Sequence, residues 1–276
     1  MDEAMNAKQA KQARPGPAGG RPARIGMTAT LALRGGGTLG FALACVSPVL
    51  AMHPMISEDP GTQGQGRYEL ELGYQSTRGD PSDGRTSSFS PQLSWGALPA
   101  LDVIVQPAWL TQHPVGGAAA RGWGDTALDA KWRFYESGEV AVAVRAGLSL
   151  PTGSAAKGLG ASGTGAHAVI AGSLAAGEGT LLGNLGVVYA RFPGDRSTLP
   201  YATAAYVVPL GPAWQTFVEA ATQRNGDPAR STWPAVARTG LVWTVAEGVD
   251  LDVGAEARLN RAAPSFTALA GVTVRW

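Results

Sequence analysis

Three histidines, His53, His113 and His167, and a single cysteine, Cys45, have the widest chemical repertoire in this chain. A Ser/His pair at a membrane surface could hydrolyse lipid, but His53 precedes the first patterned segment, His113 lies in a polar connection, and His167 stands near the start of an alternating run. None sits in a nucleophile motif, so the chain reads as a non-enzyme, with a lipid hydrolase as the alternative. No phosphate loop or metal-ligand spacing appears, and the glycine-rich stretches do not lead into a helix, so no metal or cofactor is expected. The other side chains able to act on a solute are carboxylates and guanidinium groups, and these recur at a spacing of two.

"RYELELGYQ" sets Tyr68, Leu70, Leu72 and Tyr74 against Glu69, Glu71, Gly73 and Gln75. "VDLDVGAEARLN" does the same with Val249, Leu251 and Val253 against Asp250, Asp252, Glu256, Arg258 and Asn260. A period of two is the mark of strands whose faces meet different environments. Twelve such runs can be read, approximately 67–77, 87–96, 100–110, 124–135, 139–150, 165–175, 181–191, 198–209, 213–224, 232–246, 249–260 and 266–276. Most span about ten residues, the length that crosses a bilayer at a barrel's tilt. Long polar connections such as "RGDPSDGR" and "PTGSAAKGLGASGTG" alternate with short ones such as "GALPA", "ESG" and "AEG". That sorting predicts an all-β fold: a membrane-spanning antiparallel up-and-down barrel of about 12 strands, with short periplasmic turns and long extracellular loops. No apolar stretch after residue 60 is long enough for a membrane helix.

Closure then assigns the faces. Tyr68, Tyr74, Trp95, Trp109, Trp132, Phe134, Trp214, Trp233 and Trp243 fall on the outward parity near run ends, as interfacial girdles require. The opposite parity gives lumen residues and a solute path: Glu69, Glu71, Asp102, Gln106, Asp125, Asp129, Lys131, Arg133, Arg145, Arg238, Asp250, Asp252, Glu256, Arg258 and Arg275. Most of these are expected to pair across strands and stabilise the wall. A three-residue "ESG" hairpin with Gly138 in the left-handed position sets Tyr135 opposite Glu139 and therefore Asp129 opposite Arg145. A backbone diameter of roughly 25 Å follows from twelve strands at the usual spacing and tilt, which leaves a narrow lumen for a small solute.

Upstream of the strands, Arg21, Arg24 and Arg34 precede "GTLGFALACVSPVLAM", and small residues stand at Val49 and Ala51. This order predicts an N-terminal extension and signal peptide over residues 1–51, cleaved after Ala51, followed by a periplasmic segment 52–66 and the barrel 67–276. Met27 is an alternative start to Met1, and a lipid-modified Cys45 is a competing reading of the leader. Cleavage removes Cys45 and leaves 16 basic and 19 acidic groups. That balance gives no reason to expect nucleic acid.

Several segments resemble a known family, the outer-membrane proteins labelled "putative meta-pathway of phenol degradation". They are "RGWGDTALDAKWRF" with Gly122, Gly124, Asp125, Lys131 and Phe134, "LSLPTGS" with Pro151, Thr152 and Gly153, and "HPMISEDPGTQGQG" before the first strand. Ala166 and His167 depart from the pattern where an acidic residue is expected. The alternating last strand ending on Trp276 resembles the insertion signal read by the barrel-assembly machinery. The resemblance implies the bacterial cell outer membrane as location, outer-membrane lipid and small-molecule solutes as partners, and passive uptake of small aromatic or apolar compounds. A structural or adhesive barrel without transport is the remaining alternative.

Overall fold

In a computed structural model, residues 53–79, 84–192 and 194–276 are described. The leader expected over residues 1–51, with Cys45 and Met27, lies outside them.

The alternating runs form β-strands, as their pattern requires. These are β1 (Tyr68–Arg78), β2 (Arg85–Leu98), β3 (Leu101–Gln106), β4 (Trp109–His113), β5 (Ala120–Trp123), β6 (Thr126–Ser137) and β7 (Val140–Leu150). They continue with β8 (Gly165–Ala176), β9 (Gly179–Tyr189), β10 (Thr198–Pro209), β11 (Trp214–Gln223), β12 (Ala235–Ala246), β13 (Val249–Arg258) and β14 (Phe266–Arg275). Neighbours pair antiparallel around a complete circle that β1 closes by joining both β2 and β14. β3 and β4 are halves of one wall strand interrupted at Pro107, which has no N–H to give the ladder. β5 and β6 are likewise halves of the next, and Gly124 N donates to Ala108 O at 2.8 Å to keep the wall joined there. The result is a closed antiparallel barrel of 12 strands.

Closure matters because an open sheet edge in hydrocarbon would leave N–H and C=O groups without partners. At the seam, Tyr68 N donates to Trp276 O at 3.0 Å and Trp276 N donates back to Tyr68 O at 3.1 Å. Their rings stack with centroids 5.6 Å apart. Trp214 and Trp243 stack in the same way at 5.3 Å, and such pairs add about 1 kcal/mol each beyond area burial. All nine girdle aromatics named from parity are exposed, and the described residues include no helix long and apolar enough to span a membrane.

The sequence sets residues 111–124 as one long connection, whereas the strands carry on through it to His113 and resume at Ala120. The cause is the β7–β8 connection, which folds inward. Its Leu159 packs with Ala108, Leu110 and Ala120, and its Gly158 O accepts from Gln112 Nε2 at 2.9 Å. A second difference concerns residues 52–66, expected on the periplasmic side. From His53 to Gln63 they run inside the wall, and Gln65 and Gly66 emerge exposed beside the β2–β3 turn.

Candidate functional site: the barrel interior and its strap

Inward parity delivers acidic and basic side chains to one lumen, and the segment His53–Gln63, here called the strap, threads among them. It visits the strands in circular order. Next to the β2–β3 turn, Thr62 Oγ1 donates to Pro99 O at 3.2 Å and Gln63 N donates to both oxygens of Asp102 at 3.1 Å. At β6 and β7, Lys131 Nζ and Arg145 Nη1 donate to the two oxygens of Glu58 at 2.8 and 2.7 Å. At β9, Asn184 accepts from Glu58 N at 2.6 Å and donates to Glu58 O at 2.8 Å. At β11, Glu219 accepts from Ile56 N at 2.8 Å and from Ser57 N and Oγ at 2.6 Å each. At β12, Arg238 Nη1 donates to Pro54 O at 2.9 Å. The circuit ends at His53, whose N donates to Glu71 on β1 at 3.1 Å and whose Nδ1 lies 2.7 Å from Asp252 Oδ1 on β13.

The wall is shaped for this passenger. Gly73 and Gly271 flank the His53 ring, and Gly96 lies against Gly64 O. A Cβ at Gly73 or Gly271 would collide with the strap, and one at Gly96 with Gly64, the residue that follows the strap, so these strand glycines mark the close approach of another chain segment.

Charge accounts for the rest of the arrangement. Five lumen carboxylates have cationic partners in Lys131, Arg145, Arg238 and Arg275: Glu58, Asp129, Glu256, Glu69 and Asp250. Four others, Glu71, Asp102, Glu219 and Asp252, are held instead by strap N–H, O–H or imidazole groups. Buried carboxylates need such donors, since an unpaired one costs several kcal/mol. The strap therefore supplies what the wall lacks. In the strap itself, burial pushes Glu58 up, but Lys131 and Arg145 outweigh it and hold the carboxyl below its ordinary range. Asp59 is shifted the other way, raised by burial.

The residues assigned to the lumen from sequence do not all share one role. Glu69, Glu71, Asp102, Asp129, Lys131, Arg145, Asp252 and Glu256 are buried there, together with Gln106 and Arg238. Arg133 is half-buried at the periplasmic end and pairs with Glu136 at 3.2 Å, and Arg275 bridges Glu69 and Asp250 at the same end. Arg258 is half-buried at the opposite end of β13. Asp125 departs from the solute path. In the break between β5 and β6 it accepts from Gly153 N at 3.0 Å and Ala161 N at 2.7 Å, while Thr152 Oγ1 donates to Gly124 O at 2.9 Å. Gly124, Asp125, Thr152 and Gly153 thus tie down the inward-folded β7–β8 connection that Pro151 opens, and Gly122 lies against its Leu159.

The family comparison fits this geometry. A family model described as "Putative MetA-pathway of phenol degradation" matches residues 60–276. The chain belongs to that family. Among solved structures, the COG4313 outer membrane channel from Pseudomonas putida F1 is similar at 14% identity and TM-score 0.64, over 80% of this chain and all (100%) of that one. The NanC porin is similar at 8% identity and TM-score 0.52, over 75% and 98% of the two chains. The search of curated proteins gives no match. At these identities the likeness speaks for the fold, that of a bacterial outer-membrane barrel. The family match begins at Pro60, so it covers the wall and the last residues of the strap.

Sequence reasoning missed Glu58, Ser57, Asn184 and Glu219 in this family member's interior. Glu219 shares inward parity with Phe217 and could have been found that way. Nothing periodic marks Glu58. His167 does lie near the start of β8, and its Nε2 faces Asp129 Oδ1 across 2.8 Å inside the lumen.

Proposed function

We propose that this barrel is a passive outer-membrane channel for small solutes, aromatic or apolar ones in particular, with the strap as its internal constriction. The observation that carries the reading is a cleft of about 410 Å³, counting space open to solvent, against the strap. Gln75, Ser88, Ser90, Gln92 and Gln106 line it together with His53, Glu71, Arg238 and Leu269. Glu71 accepts from His53 N and Gln92 Nε2, and Arg238 donates to Glu256 and Pro54 O, so the charged groups already have partners and the amide and hydroxyl groups are left to meet a neutral solute with one polar handle. The family description, with its reference to phenol degradation, agrees in solute size and type. A catalytic role finds less support: His53 and His167 are engaged with Asp252 and Asp129 inside the barrel, away from lipid.

Liposome swelling with phenols, fatty acids and sugars tests the reading. Faster swelling with phenol-sized neutral solutes than with sugars is expected, together with small single-channel steps in a planar bilayer. A silent bilayer combined with no swelling for any solute would reject the channel in favour of a structural barrel.

A further inference from the structure

On the outward parity, strand register lines up two rows that the channel reading does not use. Tyr74 faces Phe89, Phe89 faces Trp109 and Trp109 faces Trp123, so β1, β2, β4 and β5 carry an unbroken aromatic row. All four rings are exposed on the outer surface. Four residues further along the same strands, Arg78 faces Arg85 and Arg85 faces His113, while Arg121 lies two residues beyond Trp123. These four side chains are exposed as well.

Height places the second row at the membrane surface. From the interfacial Tyr68 to Arg78 is ten residues of β1. That is roughly 33 Å along a strand and roughly 25 Å of height at a barrel's tilt, the thickness of the apolar band. The aromatic row, with Tyr74 and Trp109 deeper than the interfacial girdle their parity suggested, therefore lies beside acyl chains and the basic row at headgroup level.

Like charges directly opposite each other destabilise a sheet, yet Arg78 and Arg85 stand in register. Neither has an ion-pair partner among the described residues, nor does Arg121. The β1–β2 connection carries Asp80 and Asp83, outside the described residues, but the β4–β5 connection beside His113 and Arg121 has no acidic residue. At the other end of the barrel the sign reverses, with Glu136, Glu139, Glu178 and Glu247 exposed on the short turns.

We propose that Arg78, Arg85, His113 and Arg121 bind the phosphate groups of an outer-leaflet glycolipid whose acyl chains lie on the Tyr74–Phe89–Trp109–Trp123 row. Paired guanidinium groups match phosphate oxygens bidentately, and one anion between Arg78 and Arg85 turns a repulsive pair into a bridged one. The aromatic row distinguishes a lipid from a free anion, since it offers chain contact below the charge.

The test uses the whole barrel purified in detergent, titrated with diphosphoryl lipid A or its fully dephosphorylated form and read by native mass spectrometry. Retention of the diphosphoryl form at least about tenfold above the dephosphorylated one is expected. The Arg78→Gln, Arg85→Gln, Arg121→Gln variant is expected to lose that preference, and Arg224→Gln, Arg230→Gln on the β11–β12 connection to keep it. Inorganic phosphate at the lipid's concentration should not compete. Equal retention by wild type and triple variant, equal loss in the control, or competition by phosphate alone would each overturn the assignment. Heat-modifiable gel mobility checks that each variant is folded. If the triple variant is not, Arg85→Gln alone is held to the same comparison, and an unchanged lipid preference rejects the site.

Discussion

Arg145 reaches Asp129 along a diagonal. Its Nε donates to Asp129 Oδ2 at 2.8 Å although Arg145 stands directly opposite Lys131, and Asp129 opposite Gly147. The hairpin is tighter than the sequence suggests, with Ser137 facing Val140 across Gly138 and Glu139, and a bulge between Arg133 and Tyr135 shifts the count again. Gly138 does take the left-handed conformation, at φ 57°. The expected ion pair forms by a different register because Gly147 leaves room: a Cβ there would strike the Asp129 carboxylate. Arg145 is 0% exposed and also serves Glu58 and Gln92.

Arg145→Leu therefore leaves two carboxylates short of a cation inside the barrel. Removing one partner of a buried pair costs roughly 3–5 kcal/mol, and Lys131 compensates only Glu58. The unfolding free energy of the variant, from urea titration in detergent micelles, is expected to fall by an amount in that range. An unfolding free energy within about 1 kcal/mol of wild type would mean that the lumen network is hydrated and weak.

Gly271→Val tests the strap without altering a charge. The added side chain occupies the space of the His53 ring, so the N-terminal end of the strap must leave Asp252 and Glu71. Single-channel conductance is expected to rise several-fold. Because the freed wall groups are carboxylates, reversal potentials in a potassium chloride gradient should favour cations more strongly than in wild type. Adding Glu71→Gln and Asp252→Asn, which neutralise the two freed carboxylates, should bring that preference back toward neutrality. Anion preference in the Gly271→Val channel would contradict the charge assignment of the lumen.

The pH response of the strap follows from Glu58. Its docked carboxyl lies below the ordinary value of 4.5 because Lys131 and Arg145 overcome the effect of burial. A depressed docked value means that this contribution to docking is complete above the ordinary range and fades as pH falls below it. Asp59, raised from 3.8 by burial, acts in the opposite sense and gains docking on protonation. Conductance should therefore hold steady from neutral pH through pH 5 and step upward only in stronger acid. Glu58→Gln is expected to remove the acid step and raise conductance at neutral pH, and an acid step that survives in Glu58→Gln would assign it elsewhere.

What the sequence reveals and what it hides follow one physical line. Wall strands meet lipid on one side and water or protein on the other, so Leu70, Leu72 and Tyr74 announce their side by alternation, as do Glu69 and Glu71. The strap is surrounded by partners of both kinds, with Met55 packed on Leu182, Ala205 and Phe217 and its neighbours held by polar groups. Ser57 and Glu58 bond in every direction to β6, β7, β9, β10 and β11, which leaves no period to read. The same holds for Asp125: its parity suggests the lumen, and only the fold of the β7–β8 connection shows that its two oxygens are already taken by Gly153 and Ala161.

Asp125→Ala isolates that last role. Two backbone N–H groups lose their acceptor, at about 1–3 kcal/mol when a partner is left buried, and the connection carrying the exposed Lys157 keeps only its contacts through Thr152, Gly158 and Leu159. The barrel itself keeps its ladders, so heat-modifiable mobility should be unchanged. Trypsin cleavage after Lys157 is expected to accelerate about tenfold or more, the factor that corresponds to 1.4 kcal/mol of local opening. Asp125→Asn retains one acceptor oxygen and should fall between. Equal cleavage rates for Asp125→Ala and wild type would show that Leu159, packed with Ala108 and Leu110, anchors the connection without the carboxylate.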